Sequence, residues 1–131
     1  NNACDLVGSH GMGSKLMSSY QCVGFDYRLP LTKDMCLPTK ELILSKIREI
    51  IVLEEPEYLF VATDRSPMIS EFNKEFPQLK VVHVDPALPV IDLALLTESK
   101  HFIGNCVSSF SAFVWRHRLY HRKGPTSHFG I

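Results

Sequence analysis

From residue 39 onward, apolar residues alternate between helical spacing and short uninterrupted runs. Helical spacing first joins Leu42, Ile43, Ile47, Ile50 and Ile51, after a threonine, Thr39, that can cap the helix. Residues 58–62 form an uninterrupted apolar run, which is typical of a strand buried on both faces, and residues 81–84 and 101–104 are predicted as a second and a third strand. The pattern therefore predicts helices that alternate with short strands.

Three further helices are predicted between and after these strands. Ser66-Pro67 begins one, Pro89 opens the next, and the last runs from Ser108 to about Tyr120. The inner face of the last helix is expected to consist of Phe110, Phe113, Val114 and Leu119. Strands that alternate with helices specify a parallel sheet flanked by helices, so the fold class is α/β and Rossmann-like.

Residues 1–38 have no sustained period and are rich in Gly, Ser, Asn and Asp. They predict a loop-rich segment that precedes an α/β lobe formed by residues 39–131. The four cysteines are Cys4, Cys22, Cys36 and Cys106. In an oxidising compartment they favour two disulfides with three possible pairings, which would tie the loop-rich segment down, whereas a reducing one would leave four buried thiols.

The composition limits the classes of partner that the chain is expected to bind. Lysine plus arginine balance aspartate plus glutamate at 14 each, which argues against nucleic acid or an anionic membrane as the main partner. The basic run at residues 116–123 is interpreted as a solvated helix face and tail. No apolar run approaches the roughly 18–20 residues of a membrane span. No signal peptide is present, and both ends, Asn1 and Ile131, are expected to be cuts within a longer protein.

The segment from Gly104 to Phe110 carries the clearest chemical signal. A strand leads through a glycine into a helix that begins at Ser108 and Ser109. Unpaired N–H groups and the positive end of the helix dipole then face the edge where parallel sheets bind ligands. This predicts an anion site, with helix capping by the serines as the alternative. No phosphate-loop or dinucleotide-binding glycine motif is present, so any phosphate would be held by neutral donors.

Two aspartates and one histidine are further candidates. Asp92, near the start of the Pro89 helix, suits a guanine edge, or it lies on the surface and stabilises the helix dipole. Asp64 follows Thr63 at a strand end that lines the same edge, or it forms a turn. His101 is expected to be a hydrogen-bonded core histidine. No spacing of ligands predicts a metal site.

Residues 101–113 (HFIGNCVSSFSAF) closely resemble the signature of GDP-fucose protein O-fucosyltransferases, the type that modifies EGF-like repeats. Further matching stretches follow in family order at residues 2–4 (NAC), 8–10 (GSH), 21–24 (QCVG), 30–32 (PLT), 35–38 (MCLP), 61–64 (VATD) and 90–93 (VIDL). This ordered set covers nearly the whole chain. The resemblance implies the donor-binding, C-terminal half of a two-lobed GT-B glycosyltransferase.

The implied reaction is inverting transfer of fucose from GDP-fucose to serine or threonine of a folded EGF-like repeat, without a metal or other cofactor. By motif match, Asp92 corresponds to the carboxylate that reads guanine. Ser109 and Phe110 correspond to residues that contact the donor, with Ser108 beside them. The pair at 63–64 matches a strand end that lines the same cleft. Neutral donors suit this reaction because charge develops on a departing diphosphate.

The resemblance also implies disulfides Cys4–Cys36 and Cys22–Cys106, the ER lumen as the compartment, and extracellular or receptor proteins such as Notch as acceptors. The family's catalytic arginine lies in a His-x-Arg stretch upstream of Asn1, so no catalytic residue is expected in this chain. Its retention signal lies beyond Ile131. We therefore expect the chain alone to bind GDP weakly and to perform no useful transfer, with the missing first lobe as its partner. The alternatives are a non-catalytic nucleotide-binding or structural module and a fucosyltransferase that acts on glycans.

Overall fold

The computed structural model describes residues 32–63, 66–86, 88–105 and 108–130, and of Cys36 only the backbone. The described helices are α1 (Lys33–Cys36), α2 (Lys40–Glu54), α3 (Ile69–Glu75), α4 (Pro89–Glu98) and α5 (Ser109–Tyr120). The described strands are β1 (Tyr58–Phe60), β2 (Lys80–Val82), β3 (Phe102–Gly104) and β4 (Thr126–His128). The boundary predicted between residues 1–38 and 39–131 stays a prediction, because nearly all of the first segment lies outside the described residues.

Three of the four predicted helices begin where the sequence places them. The Thr39 hydroxyl accepts a hydrogen bond from the Leu42 N–H at 3.2 Å and caps α2. Pro89 is the first residue of α4, and Ser108 caps α5. The prediction for α3 is wrong by two residues, because Met68 adopts a left-handed φ of 55° that no helix can contain.

All described strand pairs are parallel, which confirms the α/β prediction. β1 pairs with β2, with Tyr58 opposite Lys80, and the crossover between them is α3. β3 pairs with β4, with Gly104 opposite His128, and the crossover is α5. β4 was not predicted from the sequence. It is also polar and short, and therefore lacks the apolar run that revealed the other strands.

The core of this part of the chain lies between the helices α2 and α3 and the strands. Its buried centre consists of Ile47, Phe72, Phe76 and Leu79. Partly buried apolar side chains from both strand pairs, including Leu59, Val81 and Ile103, pack against this centre. The expectation that residues 58–62 are buried on both faces is wrong for Tyr58, which is exposed at the start of β1.

The inner face of α5 differs from the prediction. Val114 is fully buried as expected, but Phe113 and Leu119 are 55% and 65% exposed. The buried positions are instead Ser111, Ala112, Val114 and Arg118. The physical reason is the close approach of α5 to β3, which leaves room for small side chains where the helix crosses the strand.

The basic run is likewise only partly solvated. Arg116, Arg122 and Lys123 are exposed as predicted, but Arg118 is 1% exposed and thus contradicts the interpretation of the run as a surface face. None of the helices in the described part of the chain combines the length and apolarity needed to cross a membrane.

Candidate functional site

The first turns of α4 and α5 lie at the same edge of the fold. Both helices follow a strand or a strand-end loop, and they pack against each other. Near the end of α5, the Arg118 guanidinium donates hydrogen bonds to the carbonyls of Leu96 and Thr97 in the last turn of α4. Because Arg118 joins the two C-terminal ends close to the start of β3, we infer that both helices begin towards the carboxyl edge of β3. This edge is where parallel sheets bind ligands.

Three hydrogen bonds link the end of β3 to the first turn of α5. The Ser108 hydroxyl accepts from the Ser111 N–H at 3.2 Å, which caps the helix. The Ser111 hydroxyl in turn accepts from the Asn105 N–H at 3.0 Å, immediately after β3. The Ser108 N–H donates to the Asn105 carbonyl at 3.2 Å. These bonds set the direction in which the first turn of α5 leaves the strand.

Gly104, the last residue of β3, permits the close packing of α5. A Cβ atom at this position would lie 2.9 Å from Cε2 of Phe102 and 3.2 Å from Cβ of Ser111. The contact with the Phe102 ring lies within β3, whereas the contact with Ser111 joins β3 to α5 and is tighter than most real Cβ contacts, so a larger residue would press on the helix. Absence of a side chain at Gly104 therefore brings the helix N-terminus close to the sheet edge.

Asp92 is buried, which contradicts the surface alternative for this residue. It lies in the first turn of α4 and is only 6% exposed. Among the described residues, no side chain or backbone N–H donates a hydrogen bond to its carboxylate, and none forms an ion pair with it. Although the residue is buried, its carboxylate oxygens are not among the fully enclosed polar atoms of the described residues, so they remain open to solvent at this edge. Such a group is suited to receive donors from a ligand.

The remaining predicted site residues fall into two groups. Ser109 is exposed at the first position of α5, and Phe110 and Thr63 are half-buried. Asp64 lies outside the described residues.

A histidine connects the ends of β1 and β2. Just after the paired residues of the two strands, His83 Nδ1 lies 2.9 Å from the Val61 carbonyl.

His101 is a hydrogen-bonded core histidine, as predicted. Its Nε2 lies 2.8 Å from the Ser127 hydroxyl, and Glu54 approaches Nδ1 to 3.8 Å. Burial lowers the pKa of His101, and the charge of Glu54 opposes this effect. Burial also lowers the pKa of His128 at the end of β4, where no described residue gives Nε2 a hydrogen-bond partner. Both imidazoles are therefore held towards the neutral form by the fold.

Within the described ranges, no group of three or more histidine, cysteine, aspartate or glutamate side chains could hold a metal ion. Cys4, Cys22 and Cys106 and the side chain of Cys36 lie outside those ranges, as does His10. The two predicted disulfides therefore stay predictions.

A cavity of about 330 Å³ lies at the opposite end of α5 from the site. Trp115, Leu119 and Lys123 contribute to its walls. Because these residues follow the helix start by two to four turns, the cavity is not the ligand edge that the sequence predicts.

Sequence reasoning missed Ser111, which orients the helix start through Asn105. The sequence held a signal for Ser111. It lies three positions after the capping residue Ser108, and the N–H group at that position is the one that an N-cap side chain binds. No local signal distinguishes Arg118 from its exposed neighbours in the basic run.

The chain is similar to proteins of one family. The family described as GDP-fucose protein O-fucosyltransferase matches residues 1–121. The chain is 35% identical over 121 residues to GDP-fucose protein O-fucosyltransferase 1 of Caenorhabditis elegans, and the alignment covers 88% of this chain and 31% of that protein. The chain thus spans about a third of the length of this curated relative.

Solved structures give the same result. A crystal structure of POFUT1 in complex with GDP superimposes with a TM-score of 0.88 and 32% identity over 99% of this chain and 38% of that one. A second, in complex with GDP-fucose, gives a TM-score of 0.86 and 31% identity over 100% of this chain and 39% of that one. This likeness confirms the α/β fold and its GT-B assignment.

Proposed function

The chain belongs to the GDP-fucose protein O-fucosyltransferase family of glycosyltransferases, and we propose that it forms the donor-binding part of such an enzyme. Its substrate is GDP-fucose, bound at the edge where α4 and α5 begin. The proposal is supported by the relatives that were crystallised with GDP and GDP-fucose, and by the chemistry of the side chains at this edge.

The burial of Asp92 without a donor is the observation that carries the proposal. A guanine base presents two adjacent N–H donors on its Watson–Crick edge, N1–H and the 2-amino group. An ionised carboxylate has two oxygens and accepts such a pair. Adenine lacks this pair of donors, so the same carboxylate would reject it. Asp92 therefore reads guanine, and binding of the base supplies the donors that the carboxylate lacks in the described residues.

The diphosphate occupies the start of α5. In the described part of the chain, the N–H groups of Ser109 and Phe110 have no acceptor, so they can bind an anion there, and the helix dipole favours negative charge. Ser109 is exposed at this position and supplies a hydroxyl, while the half-buried Phe110 limits the space for the sugar. In fucose transfer, negative charge develops on the departing β-phosphate, so fixed neutral donors stabilise the transition state more than the ground state. Thr63 and Asp64 follow β1 in the sequence, and their part in lining the same edge is proposed from the motif match alone.

The proposed acceptor is serine or threonine of a folded EGF-like repeat of an extracellular or receptor protein, and transfer proceeds with inversion and without a metal. The residue that drives the chemistry belongs to the family's His-x-Arg stretch, which is not part of this chain, and the chain alone performs no useful transfer. Disulfides Cys4–Cys36 and Cys22–Cys106 and residence in the ER lumen belong to the same proposal. They are supported by the matching stretches around these cysteines.

The test uses the full-length protein that carries this chain. Incubated with GDP-fucose and a folded EGF-like repeat, it should attach one fucose, detected by intact mass, and chelation of divalent cations should leave the rate unchanged. The unfolded repeat and a free glycan serve as acceptor controls. Loss of transfer on chelation contradicts the metal-free mechanism, and preferential transfer to the glycan contradicts the acceptor. Binding of neither GDP nor GDP-fucose contradicts the donor and favours a non-catalytic module.

A further inference from the structure

Arg118 is a buried cation that has no carboxylate partner among the described residues. It lies in the last turn of α5 and is 1% exposed. In the described part of the chain, its guanidinium contacts no acidic side chain and bonds only to carbonyl and hydroxyl oxygens. A charge taken out of water is retained only where oriented dipoles replace its hydration, so these oxygens must be held in place.

The acceptors come from three parts of the fold. Nη1 donates to the carbonyls of Leu96 at 3.2 Å and Thr97 at 3.1 Å, and to the carbonyl and hydroxyl of Ser99. Nη2 donates to the carbonyls of Lys100 at 3.3 Å and Pro125 at 3.2 Å, and Nε donates to the Thr126 hydroxyl at 3.3 Å. One side chain of α5 thus joins the last turn of α4, the entry to β3 and the start of β4.

This arrangement is favourable for α4 in particular. The last turn of a helix leaves carbonyls without intrahelical partners and carries a partial negative charge. Arg118 donates to two of these carbonyls and places a positive charge beside them. Burial lowers the pKa of Arg118, while the charge of Glu98 on α4 raises it, and an arginine remains protonated at any physiological pH.

The joined ends are directly connected to the donor site. Asp92 precedes Thr97 by about 7 Å along α4, and Ser108 and Ser109 precede Arg118 by about 15 Å along α5, at about 1.5 Å per residue. A helix of this length transmits a rotation at one end to the other end almost rigidly. A change in the crossing of α4 and α5 therefore alters the spacing between the base-reading carboxylate and the diphosphate cradle.

The approach of the backbone to Lys100 supports the same geometry. Gly124 lies so close to the Lys100 carbonyl that a Cβ atom would collide with it. This contact allows one guanidinium to reach both Lys100 and Pro125. On the surface nearby, an ion pair between Lys123 and Glu98 at 3.0 Å also connects the end of α4 to the residues after α5.

We propose that Arg118 is a positioning residue for the GDP-fucose site, because it clamps the ends of α4 and α5 opposite to those that bind the donor. The inference rests on the proposed function for the identity of the ligand. Arg118 does not touch the donor; it fixes the distance between the two helix starts that do.

The test compares Arg118→Lys with the matched control Arg122→Lys in the full-length protein that carries this chain. A lysine has one charged nitrogen and cannot serve acceptors on two sides, whereas Arg122 is exposed. We expect the Kd for GDP, from calorimetry on folded protein, to rise about tenfold for Arg118→Lys and to stay within twofold for Arg122→Lys. Thr126→Val, which removes one hydroxyl acceptor and preserves shape, should raise the Kd about two- to threefold.

Amide hydrogen exchange separates positioning from stability. Exchange at residues 88–92 and 108–112 should accelerate at least threefold in Arg118→Lys, at a temperature where the variant is folded. A lower Tm with an unchanged Kd and unchanged exchange at these residues would overturn the proposal, whether seen with Arg118→Lys or, if that variant does not fold, with Thr126→Val. If the unsubstituted protein binds no GDP, the proposed function is wrong. The exchange measurement alone then tests whether Arg118 holds the starts of α4 and α5 in place.

Discussion

Substitution Gly104→Ala tests the close contact between β3 and α5. The new methyl carbon would lie 2.9 and 3.0 Å from two ring carbons of Phe102 and 3.2 Å from Cβ of Ser111. Phe102 is buried and Ser111 holds the Asn105 N–H, so neither neighbour can move without loss of packing or of a hydrogen bond. The strain therefore acts within β3 at the Phe102 ring and between β3 and α5 at Ser111.

The expected magnitude follows from two opposed effects. Overpacking of a filled core costs about 1–3 kcal/mol, because side chains or backbone must shift. Replacement of glycine also restricts the unfolded chain, which stabilises the fold by about 0.4–1 kcal/mol. Since Gly104 does not adopt a positive φ, no backbone strain is added. The net prediction is a loss of about 1–2 kcal/mol in the free energy of unfolding.

The assay is equilibrium unfolding in guanidinium chloride, followed by circular dichroism. The matched control is the pair Phe102→Leu and Phe102→Leu/Gly104→Ala, because leucine lacks the ring carbons that the new methyl group meets. Gly104→Ala should cost less in the Phe102→Leu background than in the original protein, which is the non-additivity expected of residues in contact. An unchanged or increased stability of the single variant would refute the reasoning, and so would strict additivity of the two substitutions.

Two further predictions concern single side chains. Thr39→Ala removes the hydroxyl that caps α2 and should lower the free energy of unfolding by about 0.5–2 kcal/mol, while Thr39→Ser should preserve it; equal losses would contradict the cap. His128 is buried with a lowered pKa, so the unfolded chain binds its proton more readily and stability should fall as pH drops from about 7 through the unfolded pKa of about 6.5. His128→Phe should flatten this dependence in Tm between pH 7 and 5, His121→Gln at an exposed position should not, and an unchanged slope in His128→Phe would contradict the burial argument.

Helix starts were predictable because their signals are local. Thr39, Pro89 and Ser108 act through the backbone of the next three residues, and no tertiary contact is needed to place them. The start of α3 was missed because Met68 adopts a left-handed conformation that a sequence does not announce for this residue type. Parallel pairing of the apolar runs followed from the alternation of helices and strands.

The residues that were missed owe their position to distant parts of the chain. Burial of Arg118 depends on carbonyls that precede it by about twenty positions, which the local pattern does not predict. β4 exists because the chain returns beside β3, not because residues 126–128 are apolar. The sequence predicted where the site lies, at the ends of strands and the starts of helices. It did not predict the long-range contacts that hold these elements in place.

Selectivity of GDP binding tests the central claim most directly. Calorimetry on the full-length protein that carries this chain should compare GDP with ADP, for the natural sequence, for Asp92→Asn and for the control Asp34→Asn, an exposed aspartate in the first turn of α1. The account predicts that GDP binds and ADP does not compete. It also predicts that Asp92→Asn weakens GDP binding by about 1–3 kcal/mol, and that Asp34→Asn changes nothing. Equal affinity for the two nucleotides, or an unchanged Kd for GDP in Asp92→Asn, would contradict it.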